Sequence, residues 1–79
     1  MDFEKELLSF IHAENKEKSP LESSLSDLAT KFNKSINEID SALRKFKAFK
    51  YCSTMFEEGT GKVIILPLQR DGLKKLGLI

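Results

Sequence analysis

The sequence predicts an α+β fold: a three-helix core, then a β-hairpin, then a short last helix. Three features of its 79 residues predict this. Residues 25–52 carry two apolar stripes at helical spacing, each behind a helix-start signal. After Tyr51 the pattern changes to two short β-branched and aromatic runs around a glycine-containing connection. The chain then closes on a short amphipathic run that stops at Gly77.

Taken in order, Asp2 is placed to cap a first helix running to about Asn15. Its apolar stripe is Phe3, Leu7, Phe10 and Ile11, with Leu8 alongside, and His12 falls off that stripe and is expected to be exposed. Residues 14–20 are polar, end in Pro20 and read as a loop. Leu21 is expected in a very short strand before the second helix. That helix has apolar residues at Leu25, Leu28, Ala29 and Phe32, the i, i+3, i+4, i+7 spacing of one helical face. A turn of about three residues leads to a third helix, residues 36 to about 49, with Ile36, Ile39, Leu43 and Phe46 on its stripe and Ala42 and Phe49 at its flanks. Ser24-Leu25-Ser26-Asp27 and Ser35-Ile36-Asn37-Glu38 both read S-x-x-[DE], the capping box. Two capped helices this close in sequence cannot lie as a long antiparallel pair. They must cross steeply, as in a helix-turn-helix over residues 24–50.

Residues 51–56 and 62–66 predict the two strands of a hairpin around Gly59 and Gly61, with Pro67 marking a strand's end because it cannot donate to a ladder. Residues 69–76 allow about two turns of helix, which Gly77 stops, with Leu78 able to pack back on it. Of the aromatics, all but Phe49 are expected in the core. Phe49 sits beside its stripe as part of an exposed apolar patch.

Composition narrows the function classes. The chain is long enough for one domain, residues 1–79, whose core supplies only about 3–5 kcal/mol. A lone cysteine, Cys52, supplies no disulfide; it reads as a small buried hydrophobe and points to a reducing, cytoplasmic setting. No apolar run reaches the roughly 18 residues a membrane helix needs, and the acidic start argues against a signal peptide. The chain starts at Met1 with no tag and is read as a complete small protein. A single histidine and a single cysteine build neither a metal site nor a nucleophile–base set, so no metal, cofactor or enzymatic activity is expected. Gly61-Lys62 has the end of a phosphate-binding loop, yet Phe56 stands where its first glycine belongs and Val63 where Ser or Thr belongs. No small-molecule ligand is evident.

The net charge of +1 conceals an asymmetry. Residues 1–30 hold seven acids and three bases, a net of −4. Residues 31–79 hold ten bases and five acids, a net of +5, concentrated in Lys31, Lys34, Arg44, Lys45, Lys47 and Lys50. Such a dipolar molecule can offer a basic face to a polyanion while near neutral overall. For any one lysine an ordinary solvated surface is the expected reading, and only their clustering speaks for a basic face.

The order helix, short strand, helix, helix, hairpin, short helix resembles the winged helix-turn-helix superfamily over about residues 3–76. Leu28, Ala29, Phe32, Ser35, Ile39, Leu43 and Phe46 follow its helix-turn-helix spacing. Residues 66–73, Leu-Pro-Leu-Gln-Arg-Asp-Gly-Leu, look like the step by which many such regulators leave the wing and enter a last helix. Lys50 stands where glycine often ends the second helix of the pair, and Gln69 where a Ser or Thr cap is usual. The resemblance implies a wing over residues 51–68, a last helix over 69–76, and a recognition helix starting at Ile36. It further implies binding of double-stranded DNA by a small transcriptional regulator or a plasmid or viral accessory protein, nucleoid-associated in the cytoplasm. Asn37, Ser41 and Arg44 are then placed to meet base edges, since Asn can pair with adenine and Arg with guanine. Lys34, Ser35, Lys45 and Lys47 would hold phosphates, the helix-start N–H groups helping, while Thr60 and Lys62 make an auxiliary wing contact beside the repelling Glu57 and Glu58. A homodimer through the first helix and the apolar C-terminal end is expected, because two half-sites multiply discrimination. Glu38, Asp40 and the acidic hairpin tip favour the alternative, a winged-helix protein-interaction module without nucleic acid. RNA binding is a third reading.

Overall fold

A computed structural model describes residues 2–79. The elements run α1 (Phe3–Glu17), β1 (Leu21–Ser24), α2 (Leu25–Phe32), α3 (Ile36–Ala48), β2 (Thr54–Phe56), β3 (Lys62–Ile65) and α4 (Arg70–Lys75). The fold is α+β, with four helices and one three-stranded antiparallel sheet of order β1-β3-β2 among the described residues.

The first three helices each begin where a side chain takes up an orphan N–H. Asp2 accepts from the Glu4 backbone at 3.2 Å, Ser24 Oγ from Asp27 at 3.0 Å, and Ser35 Oγ from Glu38 at 3.1 Å. The reciprocal arm of the capping box takes a different form: Ser35 Oγ donates to Glu38 Oε1 at 3.3 Å, and Asp27 returns no bond. At α4 the Gln69 side chain makes no cap. Helix ends are as local as the starts. α2 stops on Asn33 at φ 55, with Lys34 N–H donating back to the Ala29 carbonyl. α3 stops before Lys50 at φ 61, with Tyr51 N–H donating to Phe46 O at 2.8 Å and Lys50 N–H to Lys47 O at 3.1 Å. This is a Schellman ending. A third follows at Gly77, φ 76.

Several expectations need correction. α1 runs to Glu17, two residues past Asn15, because residues 14–17 are adequate helix formers and Asn15 Nδ2 bonds both Ile11 O at 2.9 Å and Ile65 O at 3.3 Å. The expected loop shrinks accordingly. His12 is half-buried and not exposed as its place off the stripe predicts. The strand at Leu21 extends through Ser24, held by pairing Leu21 with Ile65 through Ser24 with Lys62. β2 starts only at Thr54; Tyr51 and Cys52 lie in the connection, where the Tyr51 carbonyl receives Gln69 N–H at 2.7 Å and so serves α4 instead of a strand. Ile36, on the predicted stripe, is 50% exposed, because at the first turn of α3 the core has not yet begun. Leu78 folds back through its backbone, its N–H donating to the Leu73 carbonyl at 2.9 Å, while its side chain stays about half exposed.

The core lies between the helices and the inner sheet face. Leu7, Leu8 and Ile11 from α1, Leu28 and Ala29 from α2, and Ile39, Ala42, Leu43 and Phe46 from α3 close over Leu21, Val63, Ile65 and Cys52. Phe46 is the aromatic fully buried; Phe3, Phe10, Phe32, Phe56 and Tyr51 pack around the rim. Phe3 and Phe10 both meet Phe32 edge-on, at centroid distances of 6.0 and 5.5 Å, fastening α1 to α2. No helix among the described residues is long and apolar enough to cross a membrane.

Candidate functional site

The core takes Ile39, Ala42, Leu43 and Phe46 from α3, so the opposite face is fixed by helical period. Asn37, Ser41, Arg44 and Ala48 occupy that outward face, and all four are exposed. The sequence-predicted base-contacting set therefore converges on one face. Flanking it toward α1 are Glu38 and Lys45, and toward the hairpin Asp40 and Lys47.

The charges are not free in equal measure. Lys45 Nζ reaches across to α1 and donates to Glu4 at 3.0 and 3.1 Å. The Glu4 carboxylate, by hydrogen bond and by charge, holds the Lys45 ammonium above its ordinary value. Lys34 lies 3.9 Å from Glu38, one helical turn on, and 5.1 Å from the centroid of the Phe3 ring. Arg44 Nε donates to Asp40 Oδ2 at 3.0 Å, and its guanidinium carbon sits 4.3 Å from the centroid of the Phe56 ring. Among the described residues Lys47 and Lys62 have no carboxylate within ion-pair distance. Ser35 is spent as the α3 cap, and at the hairpin tip Thr60 Oγ1 accepts from Lys62 N–H at 3.2 Å, so both hydroxyls serve the backbone first.

A shallow groove of about 370 Å³ runs between the start of α1 and the outward flank of α3, lined by Phe3, Glu4, Asn37, Ser41 and Lys45 among others. Its rim is closed by the Glu4–Lys45 pair. On the outer sheet face a second depression involves Met55 and Ile64, which stand side by side in register, with Lys62 and Glu57 beside them. Met55 and Phe49 are each just over half exposed, and Phe49 stacks on Tyr51 at 5.7 Å.

Burial pushes the Cys52 thiol up to about 11, with the neighbouring Thr54 hydroxyl offsetting only part of that, so at neutral pH it is a protonated, inert core group. Among the described residues no three His, Cys, Asp or Glu side chains gather to hold a metal ion. Sequence reasoning missed Glu4 and Phe56 as neighbours of the α3 bases. No local signal marks either, since each acts across the fold. Compared with protein families, with curated proteins and with solved structures, the chain matches none.

Proposed function

We propose that the chain is a winged helix-turn-helix domain that binds double-stranded DNA, with α3 as recognition helix in the major groove and the β2–β3 hairpin as its wing. One observation carries the reading: the face of α3 turned away from the core is uncovered and offers an amide, a hydroxyl and a guanidinium from Asn37, Ser41 and Arg44. Those groups have the donor and acceptor chemistry that major-groove base edges require. Lys34 at the mouth of α3, with Lys45, Lys47 and Lys62 around the face, would hold phosphates on either side. The domain would act as a small transcriptional regulator or an accessory DNA-binding protein. A second copy would raise specificity. α1 has given its apolar stripe to the core, so a homodimer would rest chiefly on the exposed Leu78 and Ile79.

The second reading, a protein-interaction module without nucleic acid, is favoured by a specific observation. Glu4 and Asp40 each sit on an α3 base, Glu38 lies beside Lys34 just before the helix, and Ile36, Phe49 and Met55 are exposed. Binding to random duplex DNA between 50 and 200 mM salt separates the two. A groove reader loses affinity steeply over that range, with a log–log slope of about −0.9 for each phosphate neutralised. Absence of binding at the lowest salt refutes the DNA reading.

A further inference from the structure

We infer that Asp40 and Phe56 hold Arg44 as a preset reader of one guanine, an inference that rests on the DNA-binding reading above. Asp40 is otherwise hard to reconcile with a surface meant for a polyanion. Its geometry explains it. The carboxylate takes Arg44 through Nε at 3.0 Å, the side edge of the guanidinium, and among the described residues neither Nη group has an acceptor. The guanidinium carbon lies over the Phe56 ring, 4.3 Å from its centroid. An arginine side chain ordinarily carries much rotamer entropy, which binding must remove. Here the Nε edge is bonded to Asp40 and the guanidinium carbon sits over the Phe56 ring, so the remaining edge, with both Nη groups, has less freedom to lose on binding.

That remaining edge is the planar fork that donates twice to guanine O6 and N7. A phosphate contact would need only a positive charge, which Lys47 and Lys62 supply with no carboxylate within ion-pair distance among the described residues. The anchor is firm. Phe56 pairs in register with the buried Val63 and packs against the core, and Asp40 lies one turn before Arg44 on the same helix. Asp40 and Phe56 are therefore positioning residues, which act on the base only through Arg44. Phe56 also makes the reading of α3 depend on the seating of the hairpin.

The test begins by selecting duplexes from a random pool with the full chain at low salt. Each guanine of the selected duplex is then replaced in turn by 7-deazaguanine, which keeps base pairing and removes the N7 acceptor. One position is expected to lose about ten-fold in affinity, and Arg44→Ala is expected to abolish that loss. Asp40→Asn should shrink it to under about three-fold while overall affinity holds or rises, because a negative charge has gone. Phe56→Leu should shrink it likewise. Should Phe56→Leu fail to fold, the exposed-helix variant Asp40→Asn still decides. No duplex binding by the wild type overturns the DNA reading and this inference with it. Binding without a deazaguanine-sensitive position, or with Arg44→Ala weakening every sequence alike, overturns the inference alone. An undiminished deazaguanine effect in Asp40→Asn removes Asp40 from the role.

Discussion

At Lys50 the backbone enters the left-handed region, φ 61, where a side chain crowds the following carbonyl. The Schellman ending of α3 requires this conformation, and glycine adopts it without the clash. Replacing Lys50 by Gly removes the strain but loosens the unfolded chain, so the net gain is about 0.5–1 kcal/mol. It should appear as a higher urea midpoint with an unchanged m value. Asn33, at φ 55, is the internal control: asparagine tolerates this region, and Asn33→Gly should change little. Cys52 gives a second residue-scale prediction. Its thiol rises from an ordinary 9.0 to about 11 on folding. Below pH 9 both states are protonated and its contribution is complete. As pH climbs toward 11 the unfolded chain releases the proton while the folded one keeps it, so stability is lost across that window. The wild type should therefore lose roughly 2 kcal/mol more than Cys52→Ala between pH 8.5 and 11, measured by urea unfolding. Equal slopes would mean that the thiol is hydrated in the folded state.

α4 is an element held by one close approach. A Cβ on Gly72 would run into the Tyr51 carbonyl oxygen, the same oxygen that receives Gln69 N–H. Gly72→Ala should push the helix off its seat at a cost of about 1–3 kcal/mol, despite the better helix propensity of alanine. Faster amide exchange confined to residues 73–78 would check it. α3 offers a contrasting case, since its start depends on the Ser35 hydroxyl. Ser35→Ala should cost about 1 kcal/mol. The Ser35 and Ser24 caps and the stripes behind them were legible because the physics is local, lying within four residues. What escaped is what the fold supplies from a distance. Asn15 reads as loop until its amide meets the Ile65 carbonyl, fifty residues away. Ser23 and Ser24 become strand only because β3 lies alongside them. The outward face of α3 followed from its period. The Asp40–Arg44 pairing is likewise local, its partners one helical turn apart. Glu4 beside Lys45 is not, since nothing local ties residues 41 apart.

On the scale of the whole molecule, folding changes what the charge asymmetry means. The sequence divides into an acidic first part and a basic second part, −4 against +5. If the parts stood separate, Lys45 would stand unopposed on α3. The fold instead brings α1 against the flank of α3, and Glu4 lands on Lys45. The pair is exposed, so its contribution to stability is small and screened by salt. Its effect on binding a polyanion is larger, for a phosphate must displace the carboxylate before Lys45 can hold it. Glu4→Gln should therefore tighten binding to random duplex DNA at 50 mM salt and steepen the log–log salt slope by about one phosphate's worth, near 0.9. Its unfolding midpoint should barely move. Lys45→Ala should do the reverse, weakening all sequences alike, and the double variant should resemble Lys45→Ala because freeing an absent lysine gains nothing. Under the protein-interaction reading the same Glu4–Lys45 pair is part of the docking rim, and Glu4→Gln would leave DNA binding absent. The sign of that single change, read against its unchanged stability, tells whether α1 restrains the basic face or builds a different one.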